Sequence, residues 1–214
     1  TLVRPAGSTA WELSIDWDGV QLQARIDTAG APDAATLIGS HSERRPSLTT
    51  RWNLLPVQGS LAIGVMPIPL EGALATIDYT NGFLEPGAGW LQCTGCGTLP
   101  DGQAIGFAVS DGHRHGDLQE HVVWVGDRVF PVGRVRVLIG GDVARDTWRL
   151  RSEKGDFELK FRPKTTDVDP VRRIVKGGVI QRVAGVFVGR VPTPSGEVTV
   201  RSIPGICEQH RRTV

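Results

Sequence analysis

Helix signals are scarce in this chain, and so are cysteine, tyrosine, methionine and any excess of charge. Three cysteines in 214 residues, an odd number, exclude the disulfide framework of a small secreted domain. Twenty-four basic residues against twenty-three acidic ones leave a formal net charge of +1. That balance argues against nucleic acid as the main partner, because phosphate recognition needs a basic excess or a basic face. No apolar run approaches the ~20 residues that cross a bilayer as a helix, and neither end carries the pattern of a secretory signal peptide. Together these absences point to a cytoplasmic protein with no membrane span.

Turns and short apolar runs fill the space that helices leave. Twenty-seven glycines and fourteen prolines are spread between the runs, while hydrophobic residues still make up 40% of the chain. Period-two patterning marks Val20–Ile26, Leu54–Val65, Ala73–Tyr79, Gly89–Thr94, Gln103–Val109, Leu118–Val125, Val135–Ile139, Trp148–Ser152, Phe157–Phe161, Arg182–Val191 and Val198–Ile203. Between them fall Asp18-Gly19, Asn81-Gly82, Asp101-Gly102, Gly126-Asp127 and similar pairs, which supply the positive φ that tight hairpins require. The pattern predicts an all-β fold of antiparallel, hairpin-connected strands in a barrel or sandwich. One short helix is expected over Asp169–Val175, with Asp169 as cap and Pro170 in the first turn. Ala29–Arg45 reads as a long loop. Residues 1–50 form N-terminal strands and that loop. Residues 51–214 form the main β domain, with the two free to pack as one unit.

Candidate acid–base chemistry starts at Glu120. Alternation sets it on one face with Leu118, Val122 and Trp124, and sets His121 on the other. A carboxyl group on an apolar face is desolvated and suits a general acid near neutral pH. The structural alternative is a strand-end Glu paired with an Arg from a neighbouring strand. Asp78 and Tyr79 precede Asn81-Gly82 and point to opposite faces, so at most one of them faces any cavity. Trp90 and Trp124, two of six tryptophans, lie beside these polar residues and could line an apolar ligand cavity.

Two metal-type patterns are also present. His113 and His115 flank Arg114 in a glycine-bounded segment that reads as a solvent-facing loop. Cys93, Cys96, Cys207 and His210 have the composition of a Cys3His zinc site, but their two halves lie more than a hundred residues apart. Neither pattern assigns a metal, and no organic cofactor is implied. The basic clusters Arg172-Arg173 with Lys176 and Arg211-Arg212 read as solvated faces.

From about Arg45 to His210, an ordered set of landmarks resembles a bacterial family known as domain of unknown function 2804. The landmarks are Pro56-Val-Gln-Gly59, Ile77-Asp-Tyr-Thr-Asn-Gly82, Trp90, Asp101-Gly-Gln-Ala-Ile-Gly106, Glu120 with Trp124-Val-Gly126, Phe157-Glu-Leu-Lys-Phe-Arg-Pro163, Gly185-Val-Phe-Val-Gly189 and Gly205-Ile-Cys-Glu-Gln-His210. The resemblance extends distantly to carotenoid 1,2-hydratase (hydroxyneurosporene synthase) and other lipocalin-like proteins. It implies a β architecture with ligand cavities and, in the wider group, acid–base enzymes acting on hydrophobic substrates. Relatives carry a Trp-x-Trp-like segment where this chain has Leu91 and Gln92, and they are longer at the N-terminus.

The leading expectation is therefore acid–base catalysis (hydration, isomerisation or cyclisation) on a hydrophobic small molecule. Glu120 or Asp78 would move the proton, with His210, His121 or Glu208 as the complementary group. Tyr79, Trp90, Gln92 and Trp124 would hold the ligand. A non-catalytic lipocalin-like binding protein is the alternative, and the chain is also compatible with a homodimer. A cavity carboxyl group without a cationic partner would favour the enzyme. A cavity lined by apolar groups and amides would favour binding alone.

Overall fold

The computed structural model describes residues 1–40, 46–82, 89–112, 120–164 and 178–212, and every regular element in them is a strand. The expected helix over Asp169–Val175, the His113 and His115 pair, Leu118, and the Arg172, Arg173 and Lys176 cluster lie outside the described residues.

One antiparallel sheet holds seven strands: β1 (Leu2–Val3), β2 (Ala10–Trp17), β3 (Val20–Asp27), β4 (Ala35–Ser40), β5 (Pro46–Ile63), β6 (Met66–Ile68) and β7 (Leu74–Gly82). Two expectations are corrected here. The segment read as a loop from Ala29 to Arg45 contains β4, whose residues pair in register with β5 from Ala35↔Arg51 to Ser40↔Pro46. Asn81 and Gly82 do not form a turn; they extend β7, opposite Leu48 and Ser47. The Asp18-Gly19 turn does join β2 and β3, with both residues at positive φ.

The long strand β5 is the spine of this sheet. Its first half pairs with β4 and β7, its second half with β3 and β6. Between the halves the register with β7 shifts, from Trp52 to Leu55, and Leu54 is held at φ 59°. A bulge of this kind bends a strand and re-aims its side chains. Asn53, wholly buried, stabilises it: its Oδ1 accepts from the Leu54 N–H at 2.8 Å, and its amide donates to the carbonyls of Gly95 and Phe107 at 3.4 Å in the other sheet. Gly106 leaves room for this contact, since a Cβ there would lie 2.7 Å from the Asn53 side chain.

The second antiparallel sheet has nine strands: β8 (Trp90–Thr98), β9 (Ala104–Asp111), β10 (Val122–Val125), β11 (Arg128–Pro131), β12 (Val135–Leu138), β13 (Trp148–Ser152), β14 (Glu158–Pro163), β15 (Gly178–Thr193) and β16 (Gly196–Arg212), in spatial order 11-10-9-8-16-15-14-13-12. Its inner face carries the main core, including Phe107, Trp148, Phe157, Phe161 and Phe187. The rings of Phe107 and Phe187 meet edge to face with centroids 4.7 Å apart, a favoured aromatic geometry.

The sheet curls into a half-barrel, and two side chains tie β12 back to β9. Asp111 at the end of β9 accepts from the Val137 N–H at 2.8 Å. His121 accepts at Nδ1 from the Val135 N–H at 2.9 Å, while its Nε2 meets the Ser110 carbonyl at 2.8 Å. That is where His121, a catalytic candidate from the sequence, is found: buried in this seam with both ring nitrogens engaged.

Candidate functional site

The two sheets leave a cleft of about 330 Å³ between them. Three strands line it: β7 from the first sheet, β8 and β16 from the second. Alternation along β8 and β16 explains which residues face it. Cys93, Gly95, Gly205 and Cys207 point into the core, so Gln92, Thr94 and Cys96, with Pro204, Ile206 and Glu208, point out into the cleft. From β7 come Leu74, Thr76 and Asp78.

Register stacks these residues in three layers. Glu208 is the direct cross-strand partner of Gln92, and Ile206 of Thr94. Across the cleft, the Gln92 amide donates to Asp78 Oδ2 at 2.6 Å, and the Cys96 thiol lies 4.0 Å from the Leu74 carbonyl. One end is therefore Asp78, Gln92 and Glu208; the middle is Thr76, Thr94 and Ile206; the other end is Leu74, Cys96 and Pro204.

The polar end is backed by a buried guanidinium. Arg51, beside the β5 bulge, donates from Nε to Asp78 Oδ2 at 2.8 Å and from Nη2 to Glu120 Oε2 at 2.7 Å, with a further bond to the Glu120 carbonyl at 3.3 Å. Its side chain and that of Glu120 are both about 5% exposed or less. Burial of the guanidinium works against its charge, but the two carboxylates outweigh that, and its pKa is raised. On the opposite wall Glu208 takes the Arg182 Nε at 2.5 Å on one oxygen and His210 Nε2 at 2.8 Å on the other. Burial would raise the Glu208 carboxyl, yet the His210 bond and the Arg182 charge prevail and hold it below the usual carboxylate range. Trp90 stacks on the His210 ring with centroids 4.1 Å apart and planes 13° from parallel, fixing its orientation.

A pH test follows from the lowered Glu208 value. A carboxyl whose folded-state pKa is depressed stabilises the fold fully above its unfolded value, here 4.5, and loses that contribution as pH falls through the folded value. Urea denaturation across a pH series should show wild type more stable than Glu208→Gln at neutral pH, with the gap closing below 4.5. A gap that stays constant into strong acid would mean that the ion pair does not contribute.

Six sequence candidates thus converge: Asp78, Gln92 and Glu208 in the cleft wall, His210 and Trp90 behind Glu208, and Glu120 behind Arg51. Three lie elsewhere. Tyr79 projects from the other face of β7, half exposed. Trp124 packs with Leu54 and Ala108 between the sheets, donating to the Asp33 carbonyl at 3.0 Å. His121 sits in the β9–β12 seam.

Two readings of the chemistry also change. Glu120 is not a lone carboxyl group on an apolar strand face: β10 starts at Val122, and Glu120 meets Arg51 instead. Every carboxylate at the cleft has a guanidinium partner. The zinc arrangement does not form, because strand alternation sends Cys93 and Cys207 into the core while Cys96 faces the cleft. Among the described residues, no three potential ligands cluster. Cys93 and Cys207 meet each other at 2.9 Å, and burial pushes the Cys207 thiol pKa well up. Arg51, Thr76, Thr94 and Cys96 were absent from the sequence-derived site. Only the pairing of β5 with β7, Arg51 opposite Asp78, could have indicated the first.

Residues 7–213 match the family described as "Domain of unknown function (DUF2804)". No curated protein sequence matches the chain. Among solved structures, similarity extends to an AttH-like protein of Nitrosomonas europaea (TM-score 0.54, 16% identity) and to kievitone hydratase of Nectria haematococca (TM-score 0.55, 13% identity). In both cases 97% of this chain is covered and 66% of the other, so the chain spans just under two thirds of their length. At these identities the likeness is one of fold, and that fold is all-β and lipocalin-like. No helix among the described residues is long and apolar enough to cross a membrane.

Proposed function

This chain belongs to the DUF2804 family, and on that footing we propose that its inter-sheet cleft binds a hydrophobic small molecule and adds water to it by acid–base catalysis. The observation that carries the reading is the placement of the Asp78 and Glu208 carboxylates on facing walls at one end of the cleft, beside an otherwise largely apolar lining. A site with a few convergent polar groups in an apolar concavity is the usual form of a small-molecule site.

The roles follow from which atoms remain available. Asp78 Oδ2 is engaged by Arg51 and Gln92, while Oδ1 has no hydrogen bond among the described residues. Oδ1 can accept a proton from a water molecule attacking the substrate, with Arg51 fixing the carboxylate's direction. Glu208 has one oxygen held by the Arg182 Nε and the other hydrogen-bonded to His210 Nε2, whose imidazole it orients. Glu208, which lines the cleft, passes to the substrate's other carbon the proton it shares with His210 Nε2. Hydration balances in this scheme: water supplies the hydroxyl and one proton, the double bond is lost, and no redox partner is needed. That a fold neighbour is named a hydratase supports this choice of reaction over isomerisation or cyclisation.

The test is to incubate the purified protein with alkenes and enones of increasing chain length in ¹⁸O-labelled water. Incorporation of one labelled oxygen, dependent on protein and abolished by heating, is the expected result. The second reading, a lipocalin-like binding protein, is favoured by the guanidinium partner on each cleft carboxylate. Saturable binding with no label incorporated across the whole panel would establish it instead.

A further inference from the structure

The three layers of the cleft differ in chemistry, and that gradient indicates how a ligand lies in it. Asp78, Gln92 and Glu208 form one end, Leu74, Cys96 and Pro204 the other, and Thr76, Thr94 and Ile206 lie between them, with the Thr94 hydroxyl donating to the Phe107 carbonyl at 3.0 Å. Four residues of strand separate the end layers, a span of ~14 Å. A compact, uniformly apolar ligand would cover Asp78 Oδ1 and the Gln92 carbonyl oxygen without supplying a donor, which is costly for polar groups taken out of water.

The polar layer offers acceptors. Asp78 keeps Oδ1 open, and Gln92 has committed an amide N–H to Asp78, leaving its carbonyl oxygen without a bond among the described residues. The neighbouring charges are three carboxylates (Asp78, Glu120, Glu208) against two guanidiniums, Arg51 and Arg182. Arg51 is buried behind Asp78 with both carboxylates on it. Arg182 is 55% exposed at the rim, so its field is screened by water. At the far end Cys96 is a half-buried thiol whose pKa burial raises, opposed by the Thr76 hydroxyl, so it remains a neutral apolar neighbour there.

We infer that the cleft takes an amphiphile lengthwise, its head a hydrogen-bond donor (hydroxyl or ammonium) against Asp78 and Gln92, its tail between Leu74, Cys96 and Pro204, and that it rejects a carboxylate head. This inference rests on the ligand-binding part of the proposed function and not on turnover.

Three probes of one chain length test it: decylamine, decanol and decanoate, with affinities measured by calorimetry below their aggregation limits. Decylamine and decanol should bind at least about tenfold more tightly than decanoate. Asp78→Asn should remove most of the amine's advantage over decanoate and change decanol affinity by less than about threefold, because a hydroxyl can accept from the asparagine amide where it donated to Oδ1. Nuclear Overhauser contacts should join the terminal methyl of bound decanol to the Leu74 methyls and not to the Gln92 amide. Decanoate binding as tightly as the other two, or terminal-methyl contacts at Gln92, overturns the head-group assignment while leaving the cleft a ligand site. Absence of binding by all three overturns both the inference and the ligand reading beneath it.

Discussion

Asp78→Asn should lower turnover of the hydrated substrate by roughly 10²–10⁴-fold, the usual worth of a positioned general base. The asparagine oxygen still accepts from Arg51 Nε and Gln92, so the cleft wall keeps its shape. What disappears is the capacity to take a proton at Oδ1. The loss should accordingly fall on kcat, with KM within a few-fold of wild type, since the ligand's ground-state contacts survive. Stability should change little, because Asp78 is a quarter exposed and Arg51 retains Glu120. Steady-state kinetics on whichever substrate incorporates labelled water decide the matter. Unaltered kcat with a raised KM would make Asp78 a binding residue and leave catalysis to the Glu208–His210 pair.

Arg51→Met should be the most destabilising single change at the site. Arg51 and Glu120 are both almost fully buried, and methionine fills most of the arginine's volume without its charge. Glu120 would then be a buried carboxylate deprived of its cation. Breaking a buried pair from one side costs about 3–5 kcal/mol, which in a chain of this length corresponds to a drop in Tm of roughly 6–20 °C. Adding Glu120→Gln to Arg51→Met should restore part of that loss, because the stranded charge is gone. Differential scanning calorimetry of wild type, both single variants and the double variant gives the comparison. A loss under about 1 kcal/mol for Arg51→Met would place the pair among ordinary surface ion pairs. The same series separates Glu120 from catalysis: Glu120→Gln should be less stable, with the folded fraction still turning over.

The strands were legible because period-two patterning is local. Trp148–Ser152 coincides with its predicted bounds, and the Val20, Ala73 and Gln103 runs each differ from the observed strand by a few residues at most. Errors arose where a local signal competed with pairing. Asn81-Gly82 has turn chemistry, but the β5 edge offers both residues partners, and the strand continues. Ala35–Ser40 is short and lies among polar residues, and it does not stand out until β5 lies beside it.

The site divides in the same way. Asp78, Gln92 and Glu208 attract notice as polar residues on apolar strands. Arg51 does not, as one arginine among many, and its role exists only because β5 pairs with β7 and sets it beside Asp78 and Glu120. Face assignments for Glu120 failed because alternation was extended upstream of Val122, where the strand has not begun. His121 illustrates a related limit: a buried imidazole looks the same in sequence whether it shuttles protons or, as here, joins two strand ends.

The division of β8 and β16 into a core face and a cleft face has an evolutionary consequence. Residues that determine what the cleft accepts and residues that keep the sheet folded alternate along the same two strands, one position apart, with their side chains on opposite faces. Substitutions at 92, 94, 96, 204, 206 and 208 can therefore accumulate while 93, 95, 205 and 207 stay fixed. A lineage can exchange head, middle and tail preferences one layer at a time. A scaffold arranged like this can diversify its ligands while the core face of the sheet is kept.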